Sequence, residues 1–151
     1  MRLNYRAATL ADLPTLVKLL AEDPLGATRE APKLPLHHAY LAAFEAIEKD
    51  LNNQLTVVES HGDIVAVLQL TFIPYLNRLG TWRCLIEGVR VHKNHRGQGV
   101  GQQIFRWAIE QARQKGCGMV QLTSDKQRPD ALRFYEQLGF VASHEGFKLT
   151  L

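Results

Sequence analysis

Residues 85–101 have the sequence LIEGVRVHKNHRGQGVG, in which three local patterns follow one another. The first belongs to a longer apolar run, residues 81–91, which predicts a strand, and Gly88 within it indicates a bulge or a close backbone approach. Five polar residues, 92–96, then form a loop. From Val100 onward apolar side chains recur at helical spacing, so we expect a helix to begin directly after the glycines.

This order of strand, polar loop, glycine turn and helix predicts an anion-binding site. The first turn of a helix leaves backbone N–H groups unpaired and points the positive end of the helix dipole outward. Gly97, Gly99 and Gly101 carry no Cβ that would hold a bulky anion away from those amides. The most basic stretch of the chain, residues 90–96, surrounds the turn, so a polyphosphate ligand is favoured over a merely solvated loop.

Two other phosphate-binding patterns fit this turn poorly. A Walker turn ends in Gly-Lys-Ser or Gly-Lys-Thr, and the sequence contains neither. A dinucleotide fingerprint has the spacing G-x-G-x-x-G close behind the first strand, whereas here a polar loop intervenes and the third glycine comes one position early. Asp125 is the one feature that imitates a dinucleotide site. A nucleotide-binding domain stays as an alternative, which stabilisation by ATP or NAD would reveal.

The amino-terminal third of the chain predicts one strand and two helices. Residues 3–7 alternate between apolar and polar side chains, and Thr9 with Asp12 three residues later is the start signal of a helix over residues 11–22. Residues 23–35 contain three prolines and a glycine and are expected to form a loop. A second helix follows, in which apolar residues at 40, 44, 47 and 51 share one face.

The rest of the chain predicts a mixed α/β (α+β) sheet protein. Runs at 55–59 and 64–73 form a hairpin, residues 75–80 turn the chain, and residues 119–123 form a strand after the helix that Gly116 stops. Pro129 starts a last helix, which Gly139 ends, and residues 140–151 predict a closing hairpin centred on Glu145 and Gly146. The expected order is β-α-α-β-β-β-α-β-α-β-β.

Composition narrows the class of protein. The 151 residues fit one domain over 1–151, and their 46% hydrophobic and 22% charged shares are close to the globular average. A net charge of +3, spread along the chain, argues against nucleic acid as the main partner. Cys84 and Cys117 form no C-x-x-C pair and suit a reducing compartment. Because no signal-peptide core and no run of about 18 apolar residues occurs, we expect a cytoplasmic protein without a membrane partner.

At two places the chain resembles the GNAT superfamily of N-acetyltransferases. The family's Arg/Gln-x-x-Gly-x-Gly/Ala turn, between its fourth strand and third helix, is matched by Arg96, Gly99 and Gly101. Its later Tyr-Glu-x-Leu-Gly-Phe segment is matched by residues 135–140, YEQLGF. The predicted element order is similar to the family's mixed, mostly antiparallel twisted sheet flanked by about four helices. The resemblance is strong over residues 85–140 and rests on pattern before that.

The resemblance implies that acetyl-CoA is the acyl donor and that no metal is needed. The edge of strand 85–91, including Val89 and Val91, would pair with the pantetheine amides, and the acyl group would lie near Val89. Many relatives carry Asn where this chain has Arg128, which would meet the outer pantetheine or a phosphate. The backbone amides that would hold the pyrophosphate are those of Arg96, Gly97, Gln98, Gly99, Val100 and Gly101.

Acyl transfer from a thioester to an amine needs a neutral nucleophile, a polarised carbonyl and a proton for the departing thiolate. Glu87, a polar residue in an apolar strand, is the candidate general base. The backbone N–H of Val89 would polarise the carbonyl if Gly88 forms a bulge. Tyr135, with an ordinary pKa near 10, is the candidate general acid, a role that the family motif favours over core packing. The rivals for the base are His37, His38, Glu45 and Glu48.

The expected reaction is direct acetyl transfer to a primary amine of a small molecule or peptide. The acceptor pocket is expected between the first two helices, the loop that joins them and residues 75–80. A non-catalytic CoA-binding or regulatory module with the same turn is the alternative, and a homodimer is one assembly left open. His92 with His95 as a metal pair, or a cysteine as nucleophile, is disfavoured because neither has the further groups that its chemistry requires.

Overall fold

The computed structural model describes residues 1–128 and 130–151. Within them five strands form one sheet in the spatial order β1-β2-β3-β4-β5. The strands are Asn4–Ala7 (β1), Asn53–Ser60 (β2), Asp63–Pro74 (β3), Trp82–Val91 (β4) and Met119–Gln121 (β5). Neighbouring strands are antiparallel, except that β4 and β5 are parallel. The predicted mixed, mostly antiparallel sheet is therefore confirmed.

Helices flank this sheet. Their bounds are Leu13–Ala21 (α1), Pro24–Arg29 (α2), His38–Lys49 (α3), Asn77–Gly80 (α4), Val100–Gln114 (α5) and Ala131–Gln137 (α6). The expected start signal precedes α1, since the Thr9 N–H donates to Asp12 Oδ2 at 2.8 Å and a 3-10 turn leads into the helix. α4 is a single turn with positive φ angles inside it, as the predicted chain reversal requires. Pro129, predicted to start α6, lies outside the described residues.

Two apolar layers lie on opposite sides of the sheet, because consecutive side chains on a strand point to opposite faces. Buried residues of α5 pack on one face, and those of α1 pack on the other. The first layer includes Val58, Leu68, Ile104, Phe105 and Ala108, and the second includes Val57, Val67, Leu16 and Leu19. β4 contacts both α1 and α5, so the turn that joins β4 to α5 is anchored on both sides.

Gly88 lies in a bulge of β4, as predicted. Gly88 and Val89 together oppose the single residue Leu68 of β3. Gly88 has a φ of +62°, which residues with a Cβ rarely adopt. A bulge of this kind bends the strand and changes the direction of the backbone groups that follow. The second half of β4 is therefore redirected at the point where the polar loop begins.

The prediction that residues 23–35 form a loop is wrong in its first part, because α2 occupies Pro24–Arg29. Pro24 stands at the first helical position, where its missing N–H costs nothing, and the Gly26 N–H donates to the capping carboxylate of Asp23 at 2.6 Å. A Cβ on Gly26 would come within 1.9 Å of the Leu20 carbonyl oxygen, so only glycine allows this close approach. Proline and glycine here belong to the start of a helix.

The second predicted helix ends earlier than its apolar pattern indicates. α3 stops at Lys49, and Leu51, counted on its apolar face, is 91% exposed. The Asp50 carboxylate accepts a hydrogen bond from the Asn52 N–H at 2.8 Å, which turns the chain toward β2. An Asx turn therefore ends the helix before its last apolar residue.

The predicted closing hairpin is also wrong, since residues 140–151, all of which the structure describes, form no strand. Phe147, Leu149 and Leu151 alternate as in a strand but are 92%, 86% and 111% exposed. A period of two produces a strand only where a neighbouring edge and an apolar layer are available. The neighbouring strand β5 ends at Gln121 and offers a short edge.

Candidate active site

β4 and β5 separate toward the end of β4 that carries the bulge. Their parallel pairing covers Arg83 to Leu85 on β4 and Met119–Gln121 on β5. From Ile86 to Val91, β4 keeps β3 on one side, and on the other side no strand in the described part of the chain pairs with it. This open edge, which includes Val89, offers backbone donors and acceptors to an extended ligand.

The glycine turn follows directly after this open edge. Gly97 and Gly99 have φ angles of +73° and +79°, and a Cβ on either would meet no described atom within 4 Å. α5 begins at Val100, and the Gln103 N–H is bonded back to the Gly99 carbonyl at 3.2 Å. The amides at positions 100–102 lie before that first helical bond and have no partner within the helix. The turn is thus an open cradle of backbone donors.

Gly101, unlike Gly97 and Gly99, faces a neighbouring helix, α6. A Cβ at this position would lie 3.5 Å from the Phe134 ring of α6. This is an ordinary van der Waals distance, so α6 packs close to the first turn of α5 without requiring a glycine at this position. This contact brings the following residue, Tyr135, toward the same side of the molecule as the cradle.

The basic loop between β4 and the turn is held in place by Glu22 at the end of α1. Arg96 Nη2 donates to Glu22 Oε2 at 3.2 Å, while Arg96 Nε donates to the Val91 carbonyl at 3.0 Å. His92 Nε2 lies 3.6 Å from Glu22 Oε1, and the Gln98 amide donates to the Asn94 carbonyl at 3.1 Å. These contacts order the loop and keep its positive charges beside the cradle.

Tyr135 is half-buried in a cluster of aromatic rings on α5, α6 and the segment that follows. Its ring meets those of Phe105, Phe134 and Phe140 edge-on, at centroid distances of 5.4, 5.3 and 6.0 Å. Burial raises the pKa of the Tyr135 hydroxyl, and the positive charges of Arg128 and Arg90 act in the opposite direction. The hydroxyl therefore keeps its proton at neutral pH and has two cations near it.

A cluster of charged side chains lies where α1, α2 and β4 meet. Asp23 forms an ion pair with Arg128, and the same carboxylate oxygen lies 3.9 Å from Arg90 Nε. On α2, Arg29 Nη2 donates to Asp125 Oδ2 at 2.8 Å. Arg128 and Asp125 belong to the segment between β5 and α6. These two ion pairs therefore join that segment to α2 and to the residue before it. Asp125, the residue that imitated a dinucleotide site, is thus an ion-pair partner.

The structure places the candidate base on the exposed surface of β4. Glu87 is exposed and directly precedes the bulge, opposite Gln69 of β3. No hydrogen bond or ion pair to its carboxylate occurs among the described residues. Glu87 is therefore available to an amine that approaches the bulge.

The rival bases on and beside α3 make other contacts. His37 accepts a hydrogen bond from the Ala39 N–H at 3.1 Å and stacks on His38 at a centroid distance of 4.3 Å. Glu45 pairs with Lys49 at 2.7 Å on the exposed surface. Glu48 lines a cavity of about 370 Å³ beside β1 and β2. None of these contacts involves the bulge or the glycine turn.

Residues 75–80 lie at the opposite end of β4 from the bulge. Tyr75 packs under the Arg83 guanidinium, 4.1 Å from its ring centroid, at the start of β4. Gly88 and the open edge are at the other end of the same strand. The structure therefore brings α1 and α2 to the site and leaves residues 75–80 outside it.

Comparison with known proteins agrees with this geometry. The sequence model of the Acetyltransferase (GNAT) family matches residues 15–140. The chain belongs to the GNAT family. Its fold is also that of a putative acetyltransferase from Agrobacterium tumefaciens, at a TM-score of 0.83 and 31% identity over 98% of this chain and 99% of the other.

Two further relatives cover most of the GNAT domain. The aminoalkylphosphonate N-acetyltransferase of Salmonella typhimurium is 31% identical over 115 residues, which are 76% of this chain and 74% of that protein. A structure from Bacillus halodurans, described as a transcriptional regulator, is 54% identical with a TM-score of 0.96, over 99% of this chain and 100% of the other. The protein is an acyl-CoA-dependent acetyltransferase by family.

In this GNAT protein the cradle and the open edge of β4 have the chemistry to accept two parts of one ligand. The cradle fits a diphosphate, because its glycines leave space where a Cβ would stand and its amides lack helical partners. The open edge fits the amide-containing arm of an acyl carrier, because it presents strand hydrogen-bonding groups without a strand partner among the described residues.

Sequence reasoning expected the first helix and the segment after it to border the acceptor, but it did not single out Glu22 and Asp23. Glu22 and Asp23 stand immediately before Pro24, at the end of the predicted first helix and the start of the predicted loop, and their partners are far away in sequence. A pair of acids after an amphipathic helix has no distinctive spacing. The only local signal was the Asp-Pro-x-Gly pattern at residues 23–26, which is typical of a capped helix start.

Two searches of the described residues were negative. No helix there is long and apolar enough to cross a membrane. No group of three or more His, Cys, Asp or Glu side chains is arranged to hold a metal ion in that part of the chain. His92 and His95, the pair considered as metal ligands, lie with ring centroids 5.9 Å apart and in an edge-on arrangement.

Proposed function

We propose that this protein transfers an acetyl group from acetyl-CoA directly to a primary amine of a small molecule or peptide, with residues 1–151 as one acetyltransferase domain. The observation that carries the proposal is the adjacency of two ligand-accepting features, the open edge of β4 and the glycine cradle. An extended donor with a diphosphate at one end and a thioester at the other fits both at once.

The cofactor-binding residues follow from this placement. The amides of residues 96–101 would bind the diphosphate, with Arg96 adding a positive charge beside it. The open edge of β4, at Val89 and Val91, would pair with the pantetheine amides. Arg128 would act at the outer pantetheine or a phosphate, although its ion pair with Asp23 occupies one side of its guanidinium.

The chemistry then needs three groups of this chain near the bulge. Glu87 would take the proton that the amine loses, directly or through a water molecule. The Val89 N–H, redirected by the bulge, would donate a hydrogen bond to the carbonyl oxygen as negative charge develops there. As the new C–N bond forms and the C–S bond breaks, the Tyr135 hydroxyl would give its proton to the departing thiolate.

The relatives support the choice of an amine acceptor. The Salmonella relative is named for an acceptor in which one small molecule carries both an amine and a phosphonate. A small amine-bearing acceptor is consistent with the position of the charged cluster beside the bulge, at the end of α1. Direct transfer further requires that both substrates be bound at the same time, so a ternary-complex rate law is expected and a ping-pong rate law would contradict it.

A second candidate is a CoA-binding regulatory module. It is favoured by one observation, the description of the Bacillus halodurans relative as a transcriptional regulator. In that case the cradle and the β4 edge would bind the cofactor, but adding amines would release no CoA thiol.

Two measurements test these candidates in order. Calorimetry on the folded protein with CoA and with acetyl-CoA examines the cradle, and absence of heat with both would remove the two proposals together. Thiol release from acetyl-CoA is then followed with a panel of amino acids, polyamines, aminoglycosides, aminoalkylphosphonates and peptides. Binding with turnover supports the enzyme, and binding without turnover across the whole panel supports the regulatory module.

A further inference from the structure

Within the charged cluster, Arg90 is the described arginine with a buried N–H group that has no hydrogen-bond partner. Its side chain is 19% exposed, and Nη1 donates to the Val89 carbonyl at 2.8 Å. Arg90 Nε is buried and has no hydrogen-bond partner among the described residues. Its nearest carboxylate oxygen, on Asp23, is 3.9 Å away, beyond hydrogen-bond distance, and Arg128 already binds that oxygen.

The carboxylates around Arg90 are engaged with other groups. Glu22 binds the basic loop, Asp23 binds Arg128, and Asp125 binds Arg29. Glu30 accepts a hydrogen bond from the Tyr40 hydroxyl at 2.8 Å. Among the described residues, the ion-pair partner of Arg90 is therefore one carboxylate oxygen of Asp23, which lies beyond hydrogen-bond distance and is shared with Arg128.

Further cations increase the demand for an anion at this point. Burial lowers the pKa of the Arg90 guanidinium; the charges of Arg29 and Arg96 act in the same direction, and Tyr135 and Glu30 act against it. A guanidinium that is crowded in this way is stabilised when an oxyanion accepts its free N–H groups. Arg90 Nε itself is buried, but the side chain keeps 19% of its surface exposed, so an oxyanion can reach the terminal N–H groups of the guanidinium from the open side.

We propose that Arg90 binds an oxyanion carried by the acceptor, so that the preferred acceptors are short amines with a carboxylate, phosphonate or phosphate group. The proposal rests on acetyl transfer at this site. Arg90 directly follows Val89, beside which the acyl carbonyl would lie, so an anion on Arg90 would place the amine of a short molecule at the bulge. Arg90 would then determine specificity.

Arg83 provides a matched control on the same strand. Its Nε is also buried without a hydrogen-bond partner among the described residues. Its guanidinium, however, packs on the Tyr75 ring and donates to Gln121 Oε1 at 3.1 Å, at the far end of β4 from the bulge. A general effect of removing a buried arginine from β4 would appear in variants of Arg83 and of Arg90 alike.

The experiment compares paired acceptors of similar size with the wild type, Arg90→Gln, Arg90→Lys and Arg83→Gln. The acceptors that carry an oxyanion, here called charged, are β-alanine and 2-aminoethylphosphonate. The acceptors that lack an oxyanion, here called neutral, are β-alaninamide and propylamine. For the wild type we expect kcat/KM to be about 10- to 100-fold higher for a charged acceptor than for its neutral partner, the range for a charge-assisted hydrogen bond. Arg90→Gln should bring this ratio of kcat/KM values close to one. Arg90→Lys should retain part of the preference, and Arg83→Gln should keep the ratio of the wild type.

A measurement on the wild type alone makes the test independent of whether the variants fold. Propionate and ethylphosphonate, which carry the anion without the amine, should inhibit competitively against the charged acceptor. The kcat/KM for β-alanine relative to that for 2-aminoethylphosphonate shows which oxyanion is preferred. A wild type that turns over neutral and charged amines equally, or Arg90→Gln with an unchanged ratio, overturns the role of Arg90 while leaving acetyl transfer intact. Absence of turnover with every amine overturns acetyl transfer itself.

Discussion

The ring of Tyr135 meets the ring of Phe105 edge-on, with centroids 5.4 Å apart and ring planes at 76°. Two more phenyl rings complete its surroundings, so the aromatic part of Tyr135 is packed by apolar neighbours. A phenylalanine at this position would keep the same packing. The hydroxyl can therefore be removed without a large change in the fold, which makes its chemistry separable from its structural role.

Tyr135→Phe should lower kcat by about 100-fold, because the departing thiolate loses its proton donor. CoA affinity by calorimetry and the melting temperature should stay close to those of the wild type. Since burial raises the pKa of Tyr135 above its ordinary value of 10, the pH at which deprotonation of this group halves kcat in the wild type should lie above 10. Undiminished turnover in the variant would remove Tyr135 from the mechanism.

Gly88→Ala should reduce both stability and turnover. Gly88 has a φ of +62°, and a Cβ there would meet Leu20 Cδ2 at an ordinary 3.7 Å, so the cost is backbone strain of about 1 kcal/mol without a clash. The strain would shift the bulge and move the Val89 N–H. Gly116→Ala is the control, because Gly116 has a φ of +78° with open space around it, at the end of α5.

Urea unfolding should show a similar loss of stability in the two glycine variants. Only Gly88→Ala should lose kcat in a thiol-release assay. Equal kcat values for the two variants would show that the bulge does not position a catalytic group.

Glu87→Gln should lower kcat/KM at pH 7 by about 10- to 100-fold, because the amine would lose the group that accepts its proton. The deficit should shrink as the pH rises toward the pKa of the acceptor, where the amine is already neutral. Glu110→Gln serves as the control, since Glu110 lies on the exposed face of α5 and pairs with Arg113 at 3.4 Å. A deficit that does not change with pH would point to a binding role for Glu87 instead.

Asp12→Asn should destabilise the protein at neutral pH and not in acid. Hydrogen bonds from Arg6 lower the pKa of Asp12 from 3.8 to about 2. A carboxylate with a depressed pKa stabilises the fold above its unfolded pKa, and this contribution disappears as the pH falls from about 4 to 2. Arg6 is a third exposed, so we expect a loss of about 1 kcal/mol at pH 7.

Urea titrations of the wild type and Asp12→Asn at pH 7 and near pH 2 measure this difference. The two curves should converge in acid. A constant difference would mean that the asparagine fails in its contact with the Thr9 N–H and that charge is not the cause.

The elements that sequence predicted well are those whose cause is local. Gly88 and Gly99 have positive φ angles that only glycine adopts easily, and the bulge and the α5 start follow from them. The two β-rich runs joined by residues 60–63 were enough to predict the β2–β3 hairpin, because the turn signal between them is local and both strands lie in the centre of the sheet. Local patterns of this kind need no knowledge of distant residues.

The elements that sequence predicted poorly depend on contacts between distant segments. The apolar alternation at Phe147 to Leu151 predicts a strand, but pairing depends on an edge that the short β5 does not extend. The ion pair of Asp23 with Arg128 joins residues that no periodicity connects. The surroundings of Arg90 could not be read from the chain for the same reason, since its neighbours come from α1, α2 and the segment after β5.

The early end of the β4–β5 pairing also affects backbone dynamics. Between Ile86 and Val91, amides directed away from β3 face the gap, whereas those of the paired half are held between two strands. Hydrogen–deuterium exchange should therefore be faster in the carboxyl half of β4 than in its amino half. A thioester donor that acts as the missing neighbour would slow this exchange, so its arrival would complete the sheet.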